Sequence, residues 1–429
     1  MATNIKTIKS LILSLLREVH LGAATEPSQL FKFIIGFGDS GSVLRSGRAF
    51  QWWYTAKGAS VAWQLANLIR DFHNGQIAID ATSCSEAIQN APQDNLLNRT
   101  LLENVVEKEN QKLSLFNAYS PTDPANIASI IWNEIVRFVK LMTSDWLFVY
   151  PMQRMRFSSH TFAYDGIVLL AADDKTSWRE CQCRFPELFE LDTRNGSLYG
   201  GTLPLARGPG ANWLAVECSG TPLHAFNICR RRAATFLGLL FSVFEKHAPR
   251  TAFAQSDAET DNYAAIFSSR SDGPRIQVRS SGTLLHPILG SLDVSSEMIS
   301  EVEQWYERRR GAETDAQNRS AIAARFINDA AVSDGYKRFL AFFISLDALF
   351  GERDKVKQRI VEGVLRHFPS DPWLQKCKRL FDLRSELVHG GTASVEEWHA
   401  LQKYIEHFHS DPERDIEILT SGCLLAFHQ

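Results

Sequence analysis

The sequence lacks a strong net charge, a large complement of cysteines and any long apolar run. Its 429 residues carry a formal net charge of −3 and include 7 cysteines. A near-neutral balance creates no global field that would attract nucleic acid, so any such binding must depend on local patches. The longest apolar runs, 233–244 and 339–350, are too short to cross a bilayer. We therefore expect no membrane-spanning segment.

The cysteines are odd in number and scattered, which argues against a disulfide framework. We expect no secretory leader, because Lys6 and Lys9 interrupt the first apolar residues. Cys181 and Cys183 are separated by one residue, whereas zinc sites usually have two or more residues between cysteines. Two residues that point to the same face of a β-strand fit this spacing better. These features predict a cytoplasmic protein with free thiols, no metal and no cofactor.

Two arginine triplets, 230–232 and 308–310, form the local basic patches. The more ordinary interpretation of each triplet is a solvated helix face. Contact with nucleic acid is the alternative.

Hydrophobic periodicity predicts an α+β protein with three regions. These are a mainly helical region, 1–150, a mixed strand and helix region, 151–300, and an all-helical bundle, 301–429. Apolar residues at helical spacing predict individual helices over 5–20, 58–73, 125–148 and 226–246. Short apolar runs between turn signals predict strands within 155–228 and 263–290. From 295 onward the pattern is helical, and a polar break at 311–319 suggests the entry into the last domain.

One predicted helix, 372–391, carries a charge within its apolar face. Pro372 suits its first turn, and the glycines at 390–391 suit its end. On a helical wheel, Arg384 lies near the middle of an arc of leucine, cysteine, phenylalanine and valine side chains. An adjacent polar stripe contains Lys378, Asp382, Ser385 and His389.

A charge within an apolar face is costly unless it is paired, so Arg384 should have a partner. Asp347 is the candidate, because it interrupts its own apolar run over 339–350. We predict that Asp347 and Arg384 meet or border one buried site. A structural salt bridge, or an arginine that extends to water, is the alternative.

His389 follows Arg384 by five residues, so the two side chains point about 140° apart on a helix. They cannot easily converge on one phosphate within a single helix. They can converge if two copies of the helix pack about a twofold axis. The geometry therefore predicts a homodimer if both residues act together.

The segments SLDALFG at 345–351 and LFDLRSELVHGG at 380–391 resemble HEPN domains, and the Apea-like subgroup in particular. The resemblance covers about 320–429. It implies a helical bundle that acts as a homodimeric endoribonuclease. Arg384 would bind and polarise the scissile phosphate, since its planar guanidinium is always charged. His389 would be the general acid/base that helps the ribose 2′-hydroxyl attack the phosphorus.

The resemblance also assigns supporting roles and a biological class. The supporting residues would be Asp347 and Ser385 for orientation, and Lys378 and Arg379 for contact with RNA. This chemistry needs no metal, and its products carry a 2′,3′-cyclic phosphate and a 5′-hydroxyl. Such proteins act as toxins or antiviral effectors on RNA such as tRNA. Residues 1–300 would then select the target, sense a trigger or restrain the nuclease.

The alternative is a non-catalytic HEPN module that only dimerises or binds a partner. It predicts that Arg384 is buried against Asp347, with no open groove beside it.

Overall fold

The structure is a computed structural model that describes sixteen stretches of the chain. They are residues 2–21, 30–36, 49–73, 85, 87–88, 114–119, 124–152, 155–157, 162–171, 174–186, 197–198, 201–202, 212–247, 263–268, 275–280 and 292–429. Helices and strands mix in the first 300 residues and helices alone follow, which confirms the predicted α+β class. Among the described helices, none combines the length and apolarity that a bilayer crossing needs.

The first of two compact units contains Met1–Trp146, Ser219–Phe226 and Arg270–Gly273. Its helices are α1 (Ala2–Glu18), α2 (Ala56–His73), α3 (Leu115–Tyr119) and α4 (Pro124–Met142). Its strands are β1 (Val19–Leu21), β2 (Leu30–Gly36) and β3 (Ala49–Tyr54), and β3 pairs antiparallel with the other two. The predicted apolar faces of α1, α2 and α4 form the core, in which Ile8, Leu65 and Ile135 are fully buried.

The helix predicted over 125–148 ends early, because a strand begins within that range. Helix α4 stops at Met142, and the Thr143 hydroxyl donates a hydrogen bond to the Val139 carbonyl at 2.8 Å. The next residues form β4 (Ser144–Pro151). Aromatic and β-branched residues dominate 146–150 and favour a strand when they are buried on both faces, as they are here.

The second unit contains Leu147–Cys218, Asn227–Ser269 and Pro274–Gln429. Its main sheet has the order β12-β11-β4-β10-β7-β6. The remaining strands of that sheet are β6 (Ala163–Tyr164), β7 (Ile167–Leu170), β10 (Trp213–Gly220), β11 (Tyr263–Ser268) and β12 (Arg275–Ser280). Four short strands form two further pairs, namely β5 (Met155–Phe157) with β13 (Leu292–Val294) and β8 (Ser197–Leu198) with β9 (Gly201–Thr202). Predicted strand residues 281–290 lie outside the described stretches.

A helix, α5 (Lys175–Arg184), occupies part of the segment predicted as strands. Asp174 caps it by accepting hydrogen bonds from the backbone N–H groups of Thr176 and Ser177. The strand interpretation of Cys181 and Cys183 is therefore wrong, since both lie on α5. Helix α6 (Pro222–His247) confirms the prediction for 226–246.

Seven helices form the predicted all-helical region. They are α7 (Ser296–Arg310), α8 (Thr314–Ala331), α9 (Gly335–Phe350), α10 (Val356–His367), α11 (Asp371–His389), α12 (Leu401–Phe408) and α13 (Pro412–Ala426). The polar break is shorter than predicted, because exposed polar residues after 313 already belong to α8. The sequence predicts a change of region at 300. In the structure, these seven helices belong to the same compact unit as most of 147–300.

The first and last of these seven helices are joined by hydrogen bonds. The fully buried indole of Trp305 donates to the Leu424 carbonyl at 3.1 Å, and Arg308 donates to the Leu425 carbonyl at 3.2 Å. Carbonyls at the end of a helix have no partner within that helix, so side chains of α7 satisfy the end of α13.

Helices α6 and α8 approach each other closely at Gly238. A Cβ at this position would overlap the carbonyl oxygen of Ala324. The Thr235 hydroxyl, one turn earlier, lies 3.4 Å from the Ala321 carbonyl oxygen. The absence of a side chain at Gly238 therefore sets the distance between the two helices.

Replacing Gly238 with alanine is expected to lower the free energy of unfolding by about 1–3 kcal/mol, because the backbone of α8 must move. This loss should outweigh the higher helix propensity of alanine, which contributes only about 1 kcal/mol. Gly311→Ala is the matched control, since among the described residues its Cβ would meet only the Arg308 carbonyl oxygen, at 3.6 Å. Urea unfolding measures both, and equal stability of the two variants would contradict this packing.

Candidate functional site

Helix α11 ends immediately after His389. Gly390 adopts the left-handed conformation, with φ of 76°, and caps the helix. The backbone N–H groups of Gly390 and Gly391 both donate to the Glu386 carbonyl. The predicted glycine ending of this helix is thereby confirmed.

A buried ion pair fixes the first half of α11 to α13. Lys376 Nζ lies 2.8 Å from Asp415 Oδ1, and their side chains are 12% and 2% exposed. The hydroxyls of Tyr404 and Ser410 donate to Asp415 Oδ2 at 2.8 and 2.6 Å. Burial, and then the Asp415 carboxylate, raise the pKa of Tyr404 far above its ordinary value. Asp415 therefore links α11, α12 and α13.

Arg384 lies on the same side of α11 as its buried residues, but its own side chain is only half-buried. The buried residues of the helix are Cys377, Leu380 and Leu383. Val388, predicted to share the apolar arc, is 48% exposed. The buried face is therefore shorter along the helix than predicted, because no described residue covers Val388 in the last turn.

The half-buried side chain of Arg384 lies over an aromatic ring of α9. Its guanidinium carbon is 6.0 Å from the centre of the Phe343 ring. Phe343 in turn packs edge-on against Phe381, with ring centres 4.7 Å apart. The ring beneath the arginine is therefore itself held by a second aromatic ring.

The predicted ion pair between Asp347 and Arg384 does not form. Asp347 is exposed on α9, one turn after Phe343, and its carboxylate lies against Gly351. Within the described stretches, no carboxylate oxygen lies within 4.0 Å of the Arg384 guanidinium. The aromatic ring of Phe343, and not Asp347, is the part of α9 that meets the arginine.

The polar stripe of α11 is largely exposed, as the helical wheel predicts. Lys378, Ser385 and His389 are all exposed, and so is Arg379, whose guanidinium lies 3.7 Å from Asp382. His389 is the last residue of the helix. Arg384 and His389 therefore point to different sides of one helix, about 140° apart.

Glu386 and His399 belong to this site, and the sequence analysis missed both. Glu386 Oε1 accepts from the indole N–H of Trp398 at 3.2 Å, and its Oε2 lies 3.1 Å from His399 Nδ1. Residues 390–400 fold back over the end of α11. The spacing of residues within α11 cannot predict that the chain after the helix packs back against it. The sequence signal is the glutamate inside the motif, followed by an adjacent tryptophan and histidine.

The arginine triplets 230–232 and 308–310 serve mainly structural roles or face solvent. Arg308 and Arg309 donate to backbone carbonyls at the end of α13 and the start of α8. Arg232 donates to a carbonyl of β10 at 2.8 Å, while the other two arginines of its triplet are exposed. Only Arg230, Arg231 and Arg310 are exposed, as a solvated helix face requires, so that interpretation holds for half of these arginines.

Across the described residues, no group of three or more histidine, cysteine, aspartate or glutamate side chains is arranged to hold a metal ion. No protein-family model, curated protein or solved structure matches the chain. The functional interpretation therefore depends on the residues of α9, α11 and the turn after α11.

Proposed function

We propose that this protein is an endoribonuclease of the HEPN type, which cleaves RNA at a site shared by two copies of the chain. The single observation that carries this proposal is the state of Arg384. Its guanidinium is half-buried and lies over an aromatic ring, and no described carboxylate pairs with it.

A partly desolvated cation without a counter-charge is unfavourable, and binding an anion would relieve that cost. A guanidinium suits a phosphodiester, because its planar fork donates two parallel hydrogen bonds to phosphate oxygens. A non-catalytic module would instead be expected to keep Arg384 buried against Asp347. The unpaired arginine favours the nuclease.

A second copy of the chain would bring the two diverging residues together. Arg384 of one copy could then lie beside His389 and the exposed stripe of the other, across a twofold axis. Apolar surface suited to such a contact lies beside Arg384. Val388, one turn later on α11, is 48% exposed, and Ile344, next to Phe343, is 43% exposed.

The reaction follows from the chemistry of these groups. Arg384 binds the non-bridging oxygens of the phosphate and stabilises the charge that develops on them. His389 acts as general acid/base. The 2′-oxygen forms a bond to phosphorus and the bond to the 5′-oxygen breaks, which gives a 2′,3′-cyclic phosphate and a 5′-hydroxyl. Ser385, Lys378 and Arg379 lie where they can contact the RNA backbone, and residues 1–300 restrain or direct the nuclease. This organisation suits a cytoplasmic toxin or antiviral effector.

The direct test incubates the full chain with total tRNA, and with an oligonucleotide that carries one 2′-deoxyribose at the cleaved position. We expect cleavage of the RNA in the presence of a chelator, cyclic phosphate ends by mass spectrometry, and no cleavage at the 2′-deoxy position. Light scattering after size exclusion should report two copies of the chain. Cleavage at the 2′-deoxy position would overturn the mechanism, and a dimer that cuts no RNA would support the non-catalytic alternative.

A further inference from the structure

Glu386 and His399 form a carboxylate–imidazole pair beside the end of α11. Glu386 Oε2 lies 3.1 Å from His399 Nδ1, while Glu386 Oε1 accepts the hydrogen bond from Trp398. The side chain of Glu386 is 28% exposed, whereas that of His399 is 77% exposed. The hydrogen bond from Trp398 therefore fixes the Glu386 carboxylate, and the imidazole of His399 faces solvent.

The pairing determines which nitrogen of His399 is available for chemistry. An ionised carboxylate only accepts hydrogen bonds, so Nδ1 must be the donor. In the neutral ring the other nitrogen, Nε2, then carries the free lone pair. That lone pair lies on the exposed side of the ring, where it can accept a proton from a bound molecule.

The turn that carries His399 is held firmly in place. Val395 and Trp398 are 4% and 3% exposed, so the segment is anchored by two buried side chains. The backbone N–H of Trp398 donates to the Val395 carbonyl at 3.2 Å, and the backbone N–H of Leu401 donates to the Trp398 carbonyl at 2.9 Å. His399 therefore projects from a fixed turn.

His399 is held by Glu386, a residue whose position on α11 is close to that of His389. Glu386 precedes His389 by three residues, so the two positions lie about 60° apart and less than one turn along the helix. Arg384 points to another side of the same helix. In the twofold arrangement, both histidines of one copy would approach the phosphate bound by Arg384 of the other.

We propose that His399, oriented by Glu386, is the general base of the RNA cleavage reaction and that His389 is its general acid. This inference rests on the proposed nuclease function and divides its proton transfers between two groups. His399 Nε2 takes the proton of the 2′-hydroxyl as the bond between the 2′-oxygen and phosphorus forms. His389 gives a proton to the 5′-oxygen as its bond to phosphorus breaks.

The carboxylate decides which histidine has which role. When an imidazole accepts a proton it becomes a cation, and a carboxylate hydrogen-bonded to its other nitrogen stabilises that cation. His399 has such a partner in Glu386. His389, at the end of the helix, has no described carboxylate within ion-pair distance.

The test compares two substrates that differ only in the leaving atom. One is ordinary RNA, and the other has sulfur in place of the bridging 5′-oxygen at the cleaved position. Sulfur leaves without protonation, so loss of the general acid should matter far less with that substrate. His399→Ala is expected to lower kcat by about 10²–10⁴-fold on both substrates, whereas His389→Ala should lower it only on ordinary RNA.

Glu386 is a positioning residue in this scheme, and Glu386→Gln tests that role. Glu386→Gln should lower kcat by a smaller factor, and it should cost nothing further in a chain that already carries His399→Ala, since the two residues act as a unit. His407→Ala is the matched control, because His407 is exposed on neighbouring α12 and lies 3.2 Å from the side-chain oxygen of Gln375.

Two results would overturn the inference while the nuclease function stands. The first is RNA cleavage by His399→Ala at the wild-type rate. The second is recovery of His399→Ala activity on the sulfur substrate, which would make His399 an acid. If the wild-type chain cuts no RNA at all, the proposed function itself fails.

Discussion

Replacing Arg384 with alanine is expected to lower RNA cleavage by about 10²–10³-fold, and replacing His389 by about 10²–10⁴-fold. In the proposed mechanism, Arg384→Ala removes the cation that stabilises the charge on the phosphate, and His389→Ala removes a group that transfers a proton. Neither change should unfold the protein, since Arg384 is only half-buried without a described ion pair and His389 is exposed. Rates at saturating RNA and thermal unfolding of each variant measure the two effects separately.

Arg366→Ala and His407→Ala are the controls, because both residues are exposed on neighbouring helices of the same bundle. They should keep wild-type rates. A comparable loss in the controls would mean that the assay reports general charge or folding. Full activity in Arg384→Ala would remove the proposed site.

Mixing the two inactive variants tests whether the site is shared between copies. In a random mixture half of the dimers contain one copy of each variant, and only one of their two sites then has both Arg384 and His389. Activity should therefore return to about a quarter of the wild-type value. A mixture as inactive as its components would show that each site is built within one chain.

Replacing Asp415 with alanine is expected to lower the free energy of unfolding by about 3–5 kcal/mol. The change would leave the buried Lys376 ammonium without its carboxylate and the Tyr404 hydroxyl without its acceptor. An unpaired buried cation costs far more than the lost attraction itself. Urea unfolding measures the effect.

The matched control is Asp382→Ala on the same helix as Lys376. Asp382 lies 3.7 Å from Lys357, but those side chains are 47% and 57% exposed. An exposed pair contributes about 0–1 kcal/mol. The double variant Lys376→Met/Asp415→Ala should recover part of the loss, because methionine needs no counter-charge. A loss for Asp415→Ala no larger than that for Asp382→Ala would contradict the role of this ion pair.

The helical half of the fold could be predicted because its signals are local. The boundaries of α11 follow from Pro372 at its start and Gly390 at its end, and both behave as the sequence predicts. The apolar faces of α1, α2 and α4 could also be predicted, from apolar residues at helical spacing. The end of α4 was not, since buried strand residues 146–150 are as apolar as a buried helix.

The candidate site was only partly predictable, because its contacts join distant residues. The periodicity of α11 identified Arg384 and His389, yet the helical wheel could not show that Val388 in the last turn is exposed. Asp347 looked like the partner of Arg384 because both are charges within apolar runs. The structure places the aromatic ring of Phe343 there instead. His399 reaches Glu386 through a turn of the chain, which no helical spacing encodes.

The bonds from Trp305 and Arg308 to the end of α13 have a consequence for synthesis of the protein on the ribosome. Helix α11 is held by Asp415 of α13, and α13 is held by the first helix of the bundle. These contacts join residues that are far apart in the chain, so they form late in folding. A nascent chain in which residues 412–426 are still inside the exit tunnel therefore has its motif complete in sequence but not yet fixed in space.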